Sequence, residues 1–140
     1  MTKTTIYSPT RIAFWQHHAD GDLTVFPNAA DGVPFQIWRV FTIAGVSPNG
    51  TRADHAHRRC SQLLACLSGK VSVKITDAAS SVVEHLEANG ICLLIPPMLW
   101  NSVTFEGPET VLAVFCDELY DQSDYIREWD EYSSLKLGGA

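Results

Sequence analysis

The sequence predicts an all-β domain, a sandwich or barrel, closed by one amphipathic helix near its C-terminal end. Three observations carry that expectation. Short runs of aromatic and β-branched residues recur along most of the chain, turn signals separate them at regular spacing, and a helical period replaces the strand period only from Ser123. The chain has 140 residues, which suit a single domain over residues 1–140. A chain of that size buries roughly 68–70% of its unfolded surface and needs no staples.

The elements follow in order. Residues 5–15 are weakly strand-like, and Gln16 to Gly21 reads as a turn. Leu23 to Phe26 forms a short strand ended by Pro27 and Asn28, and Asp31 to Pro34 is a second turn signal. Phe35 to Ile43 is rich in strand formers, with Ile37, Arg39, Phe41 and Ile43 sharing one face. Lys70 to Thr76 alternates cleanly, placing Val71, Val73 and Ile75 inward as in a half-buried antiparallel strand. Ser81 to Leu86, Ile91 to Ile95, Val103 to Phe105 and Val111 to Cys116 complete the strands; Ile91 to Ile95 is apolar throughout and is expected to be buried on both faces. From Ser123 to Tyr132 the spacing of Tyr125, Trp129 and Tyr132 predicts a helix with an aromatic stripe and Ser123 or Asp121 as its cap. Its role by this reading is packing, and the tail from Leu135 to Ala140 is expected to fray.

Composition narrows the function classes. A net charge of −6 with ten lysines and arginines argues against a nucleic-acid surface. No apolar run approaches the ~20 residues of a membrane helix, and the opening residues lack a secretory pattern, so the expectation is a soluble, cytoplasmic protein without a membrane partner. Cys60, Cys66, Cys92 and Cys116 have no paired spacing and sit in apolar runs, as buried free thiols do.

Chemistry concentrates between Gly50 and Gly69. His55 and His57 are two residues apart in an extended stretch, so both imidazoles share one face. Gly50, His55, His57, Gln62 and Gly69 resemble the first cupin signature, and Gly90, Pro96 and Asn101 resemble the second. Glutamine and asparagine stand where metal-binding cupins carry glutamate and histidine. That leaves two good ligands, too few for a tight zinc or iron site, so no metal is expected.

Taken together, PFQIWRVFTI, RADHAHRR with Gln62, PPMLW and YDQSDYIREWDEY resemble the WxcM-like family of sugar-nucleotide 3,4-ketoisomerases over most of the chain, from Asp20 to Tyr132. The resemblance implies a dimeric jelly-roll cupin with no cofactor, serving deoxysugar biosynthesis for O-antigen or other polysaccharide. It implies a dTDP-linked 4-keto-6-deoxy sugar as substrate and movement of its ketone from C4 to C3. On the matching positions His55 is the base and His57 its partner in moving protons. Asn101 and Asp20 fall at positions that lie near the sugar in relatives, where other residue types are usual, so the C4 configuration of the product stays open. Ala53-Asp54 replaces a motif that begins with glycine in relatives.

The residue types suit that reaction. Shifting a ketone requires removal of the C3 proton, an enediolate, and protonation at C4, which neutral histidines near pH 7 can serve. Hydrogen-bond donors such as Gln62 and Asn101 can hold the enediolate oxygens. Arg39 and Arg52 are candidates for the diphosphate, because guanidinium binds phosphate oxygens in pairs. The sequence equally allows Arg39 to pair with Glu84 or Glu118, and Arg52 to be a solvated charge. His17, His18 and His85 read as solvated, and Trp100 and Tyr125 as core residues or stacking partners for a base. The competing functions are an epimerase, a non-catalytic sugar-nucleotide-binding cupin, and a metal-dependent dioxygenase.

Overall fold

The computed structural model describes residues 10–138. Its strands are β1 (Thr10–Ala13), β2 (Trp15–His18), β3 (Asp22–Val25), β4 (Arg39–Ala44), β5 (Thr51–His57), β6 (Gln62–Ser68), β7 (Lys70–Thr76), β8 (Ser81–Glu87), β9 (Ile91–Ile95), β10 (Trp100–Phe105), β11 (Val111–Cys116) and β12 (Tyr125–Ile126), followed by helix α1 (Trp129–Leu137). All the pairings are antiparallel. One five-stranded sheet runs β1-β9-β6-β11-β4, a second runs β12-β5-β10-β7-β8, and β2-β3 is a separate hairpin. The all-β jelly-roll expectation with one C-terminal helix is met.

Strand alternation builds three apolar layers. Leu64 and Cys66 of β6, Leu93 and Ile95 of β9, and Leu112 and Val114 of β11 meet Val71, Val73, Ile75, Val103 and Phe105 from the other sheet. The opposite sides of the same strands, through Leu63, Ala65, Cys92, Ala113 and Phe115, are roofed by Phe26, Val33, Phe35 and Ile37. Strands covered on both faces carry apolar residues in succession, which explains the runs Leu63 to Leu67 in β6, Ile91 to Ile95 in β9 and Val111 to Cys116 in β11. A third cluster, Ala56, Ile126 and Tyr132 with Met98 and Trp100, seats α1 on the outer side of the second sheet.

Several sequence expectations shift. The turn predicted over 16–21 shrinks, because β2 pairs with β3 as far as His18↔Asp22. Asp20 and Gly21 in the remaining loop take positive φ of 49° and 115°. Phe35 to Trp38 precede β4 rather than belonging to it, and Ile37 turns to the roof cluster while Arg39, Phe41 and Ile43 face inward. The predicted helix over 123–132 is the largest correction. Gln122–Asp124 is a single 3-10 turn, capped by the Asp121 side chain accepting from Ser123 N–H. Tyr125 and Ile126 then pair with His57 and Ala56. Backbone groups of Arg58 and Arg59 bind Asp124, which holds this segment extended along the free edge of β5. Only from Trp129 does the chain become helical, and Leu135–Leu137, expected to fray, are helical too. The four cysteines are free and buried, as expected.

Candidate functional site

The site lies between the two sheets, on the inner face of β5 and β10. A cavity of about 260 Å³ is lined by Arg52, His55, Gln62, Asn101, Tyr125 and Arg127 over an apolar floor that includes Phe41, Leu64 and Val114. A larger groove of about 520 Å³ crosses the outer face beside Trp100, Trp129 and Lys74, but neither histidine reaches it.

His55 and His57 share the inner face, as period two predicts, with ring centroids 4.9 Å apart and nearly perpendicular. Burial pushes the His55 imidazole down to about 4, with neighbouring His57 and the Arg127 guanidinium acting in the same direction. Desolvation also lowers His57, against the opposing pull of Asp124. Both imidazoles are therefore neutral near pH 7, the state a base requires.

His57 is held from behind. Its Nδ1 lies 2.9 Å from Asp124 Oδ2, and Arg59 N–H donates to the other carboxylate oxygen at 2.7 Å. A carboxylate is acceptor-only, so Nδ1 carries the hydrogen and Nε2 keeps its lone pair. That Nε2 is buried without a hydrogen-bond partner among the described residues.

Arg52 enters the cavity through an irregularity. Val103 pairs with Arg52 and Asn101 with His55, so the ladder skips Asp54. Ala53 and Asp54 accommodate the skip with left-handed φ of 75° and 57°.

Arg39 is not among the cavity-lining residues. Its Nη2 donates to the Tyr125 hydroxyl at 3.3 Å and to Cys116 Sγ at 3.5 Å. The acids considered as its partners are engaged elsewhere, Glu84 with Arg11 and Glu118 with Arg59. Gln62 Nε2 also donates to Cys116 Sγ, at 3.6 Å. Neighbouring Cys60, with the hydrogen bonds from Arg39 and Gln62, brings the Cys116 thiol below its ordinary value. Asp20 sits in the exposed β2-β3 loop, outside the cavity lining.

Sequence reasoning placed Asp124, Tyr125 and Arg127 on a helix, so it missed Asp124 and Arg127 and offered Tyr125 only as a core residue or a stacking partner for a base. The ring of Tyr125 lies 5.0 Å from that of His55 and 4.4 Å from that of His57. The Arg127 guanidinium lies 4.2 Å from the centre of the Tyr125 ring. The available signal was the Asp-x-Ser step at Asp121, a local turn that competes with a helix.

For a metal, the cupin positions offer two imidazoles and two amides, a weak donor set. His57, Cys60 and Asp124 also bring ligand atoms within 4.8 Å of one another. There Asp124 is already committed to His57 and the Arg59 backbone.

The family model described as FdtA, WxcM-like, C-terminal, matches residues 5–137. The chain is 30% identical over 100 residues, 71% of its length and 72% of the relative's, to TDP-4-oxo-6-deoxy-alpha-D-glucose-3,4-oxoisomerase of Aneurinibacillus thermoaerophilus. It is similar to a variant of the 3,4-ketoisomerase QdtA from Thermoanaerobacterium thermosaccharolyticum solved with TDP-4-keto-6-deoxyglucose. That likeness has a TM-score of 0.88 and 30% identity, covering 96% of this chain and 97% of the other. The TDP-quinovose 3,4-ketoisomerase WlaRB from Campylobacter jejuni aligns with a TM-score of 0.81 and 28% identity, covering 91% and 98%.

Proposed function

The chain belongs to the WxcM-like, C-terminal family, and we propose that it is a sugar-nucleotide 3,4-ketoisomerase acting on a TDP-linked 4-keto-6-deoxyhexose. The observation that carries the reading is His55, a neutral imidazole facing the cavity where a sugar would sit, with the ring of His57 packed against it at 4.9 Å between centroids. His55 takes the proton from C3, adjacent to the C4 ketone, and the electron pair moves into a C3–C4 double bond. The resulting enediolate is held by the amide groups of Gln62 and Asn101. Return of a proton to C4, gain of a proton by O4 and loss of the O3 proton leave the ketone at C3. No electrons are gained or lost overall, so this chemistry calls for no redox cofactor.

His57, fixed in one tautomer by Asp124, partners His55 in moving protons. Arg52 and Arg127 at the cavity are the cations for the diphosphate. In the same reading the protein works as a cytoplasmic homodimer. Support for self-association comes from β4, an edge strand, where Val40 and the preceding Trp38 are 54% and 58% exposed. Among the described residues no helix is long and apolar enough to cross a membrane.

The test is to incubate the protein with dTDP-4-keto-6-deoxyglucose in D2O and follow the sugar by NMR, beside a His55→Ala variant. Movement of the ketone to C3 with deuterium at C4, abolished in the variant, is the expected result. Exchange at one carbon without movement of the ketone would indicate an epimerase, and binding without exchange would indicate a carbohydrate-binding module.

A further inference from the structure

Moving a ketone between adjacent carbons shifts two protons. One leaves C3 and one arrives at C4; in addition O3–H must lose its hydrogen and O4 must gain one. The histidine pair accounts for the carbon-bound proton. The oxygen-bound proton needs its own carrier, a group that can give a proton to O4 and take one from O3.

Among the described residues six polar or aromatic-hydroxyl side chains line the cavity, and most cannot do this. Arg52 and Arg127 stay protonated throughout, and the amides of Gln62 and Asn101 donate hydrogen bonds without releasing protons. His55 is committed to carbon. Tyr125 remains.

Resting on the ketoisomerase reading, we propose that Tyr125 is the oxygen-to-oxygen proton relay of this site. Its hydroxyl gives a proton to O4 as the C3–H bond breaks, and the phenolate then takes the proton from O3 as the C3 ketone forms. The phenol is regenerated, and charge and atoms balance over the cycle.

Three features place Tyr125 for this task. Strand β12 is only two residues long and pairs Tyr125 with His57, which sets its ring against both imidazoles at 5.0 and 4.4 Å. Arg39 Nη2 donates to its hydroxyl at 3.3 Å, so the transient phenolate forms beside a permanent cation. Arg127 covers the ring at 4.2 Å and adds a second positive charge. The arrangement also accounts for Arg39, which points at a tyrosine hydroxyl rather than at a carboxylate.

The experiment compares the wild-type protein with Tyr125→Phe on dTDP-4-keto-6-deoxyglucose in D2O, measuring kcat, KM and deuterium entry at C3 of recovered substrate. The expected result is a fall in kcat of about 10²-fold with KM within about twofold. With the relay gone, enediolate formed by His55 returns to substrate, so C3 exchange per turnover rises. Site-specific replacement by 3-fluorotyrosine, whose phenol is more acidic, keeps the shape and is expected to move the alkaline limb of the kcat profile to lower pH. Turnover by Tyr125→Phe at the wild-type rate overturns the relay, as does a loss confined to KM or an equal loss of turnover and exchange. Wild-type protein that neither isomerises nor exchanges the substrate overturns the ketoisomerase reading itself, and the relay with it.

Discussion

Arg52 and His55 face the same cavity although they lie three residues apart on one strand. In a regular strand an odd separation puts two side chains on opposite faces. Here the β5–β10 ladder passes from His55↔Asn101 to Ala53↔Ser102 and leaves Asp54 unopposed. The extra residue restores Arg52 to the inner face and turns Asp54 toward the outer groove. One bulge therefore adds a cation to the cavity wall that already carries the His55 imidazole.

The bulge has a conformational cost that can be read by mutation. Ala53 holds φ of 75° and Asp54 φ of 57°, where a Cβ meets the following carbonyl. Ala53→Val adds a β-branched side chain at that φ and is expected to destabilise the fold by about 1–3 kcal/mol. Ala53→Gly removes the clash and adds chain entropy, for a net change of about 1 kcal/mol or less. Denaturant titration of the three proteins checks the order, and a valine variant as stable as wild type would contradict a strained bulge.

Asp124 links fold and site. Its carboxylate binds His57 Nδ1 and the Arg59 backbone, so it positions the imidazole and fixes its tautomer. In Asp124→Asn the amide can present N–H to the ring and favour the other tautomer. The expected outcome is a fall in kcat of about 10²-fold with a small change in KM. Long-range 1H–15N correlation of the imidazole should show the proton moving from Nδ1 to Nε2. An unchanged tautomer would leave Asp124 with a packing role alone.

Much of this architecture was legible because strand alternation is a two-letter pattern. Val71, Val73 and Ile75 gave both the bounds and the buried face of β7, and the His55–His57 spacing gave their shared wall. The C-terminal segment was less legible. Tyr125, Trp129 and Tyr132 fall at helical spacing, yet Asp124 is bound by the turn after β5 and Tyr125 pairs with His57. Those are contacts between residues more than sixty apart, and local periodicity carries no trace of them. The bulge was hidden for a related reason. Nothing in TRADH reveals which residue a partner strand will skip, and counting by twos assigns Arg52 to the wrong face.

Acid should affect the protein in two ways through His55. With the imidazole pushed down to about 4, the neutral base persists well below the ordinary histidine value. Activity is therefore expected to hold on acidification through pH 6.5 and to fall only as pH approaches 4. Stability responds over a different range. Between pH 6.5 and about 4 the unfolded chain binds a proton that native His55 does not, so stability declines as pH falls through that window, by up to about 3 kcal/mol. A pH–rate profile and melting curves between pH 4 and 8 separate the effects. An activity limb at the ordinary histidine value would mean that the bound site is more solvated than the free one.

Arg127 provides a test of how the nucleotide end is held. It lines the cavity with Arg52, and its guanidinium packs over the Tyr125 ring, which limits its freedom before any ligand arrives. Charge-assisted hydrogen bonds to phosphate contribute roughly 1.5–3 kcal/mol each, so Arg127→Ala should weaken TDP binding about tenfold or more. The loss should shrink as salt rises, because screening already weakens the wild-type contact. Arg52→Ala should behave alike, and because both guanidinia would bind one diphosphate, the double variant should depart from additivity. Calorimetric titration with TDP at low and high salt distinguishes this from a role in packing Tyr125. If Arg127→Ala binds TDP as tightly as wild type but turns over slowly, the residue supports the tyrosine and the diphosphate depends on Arg52.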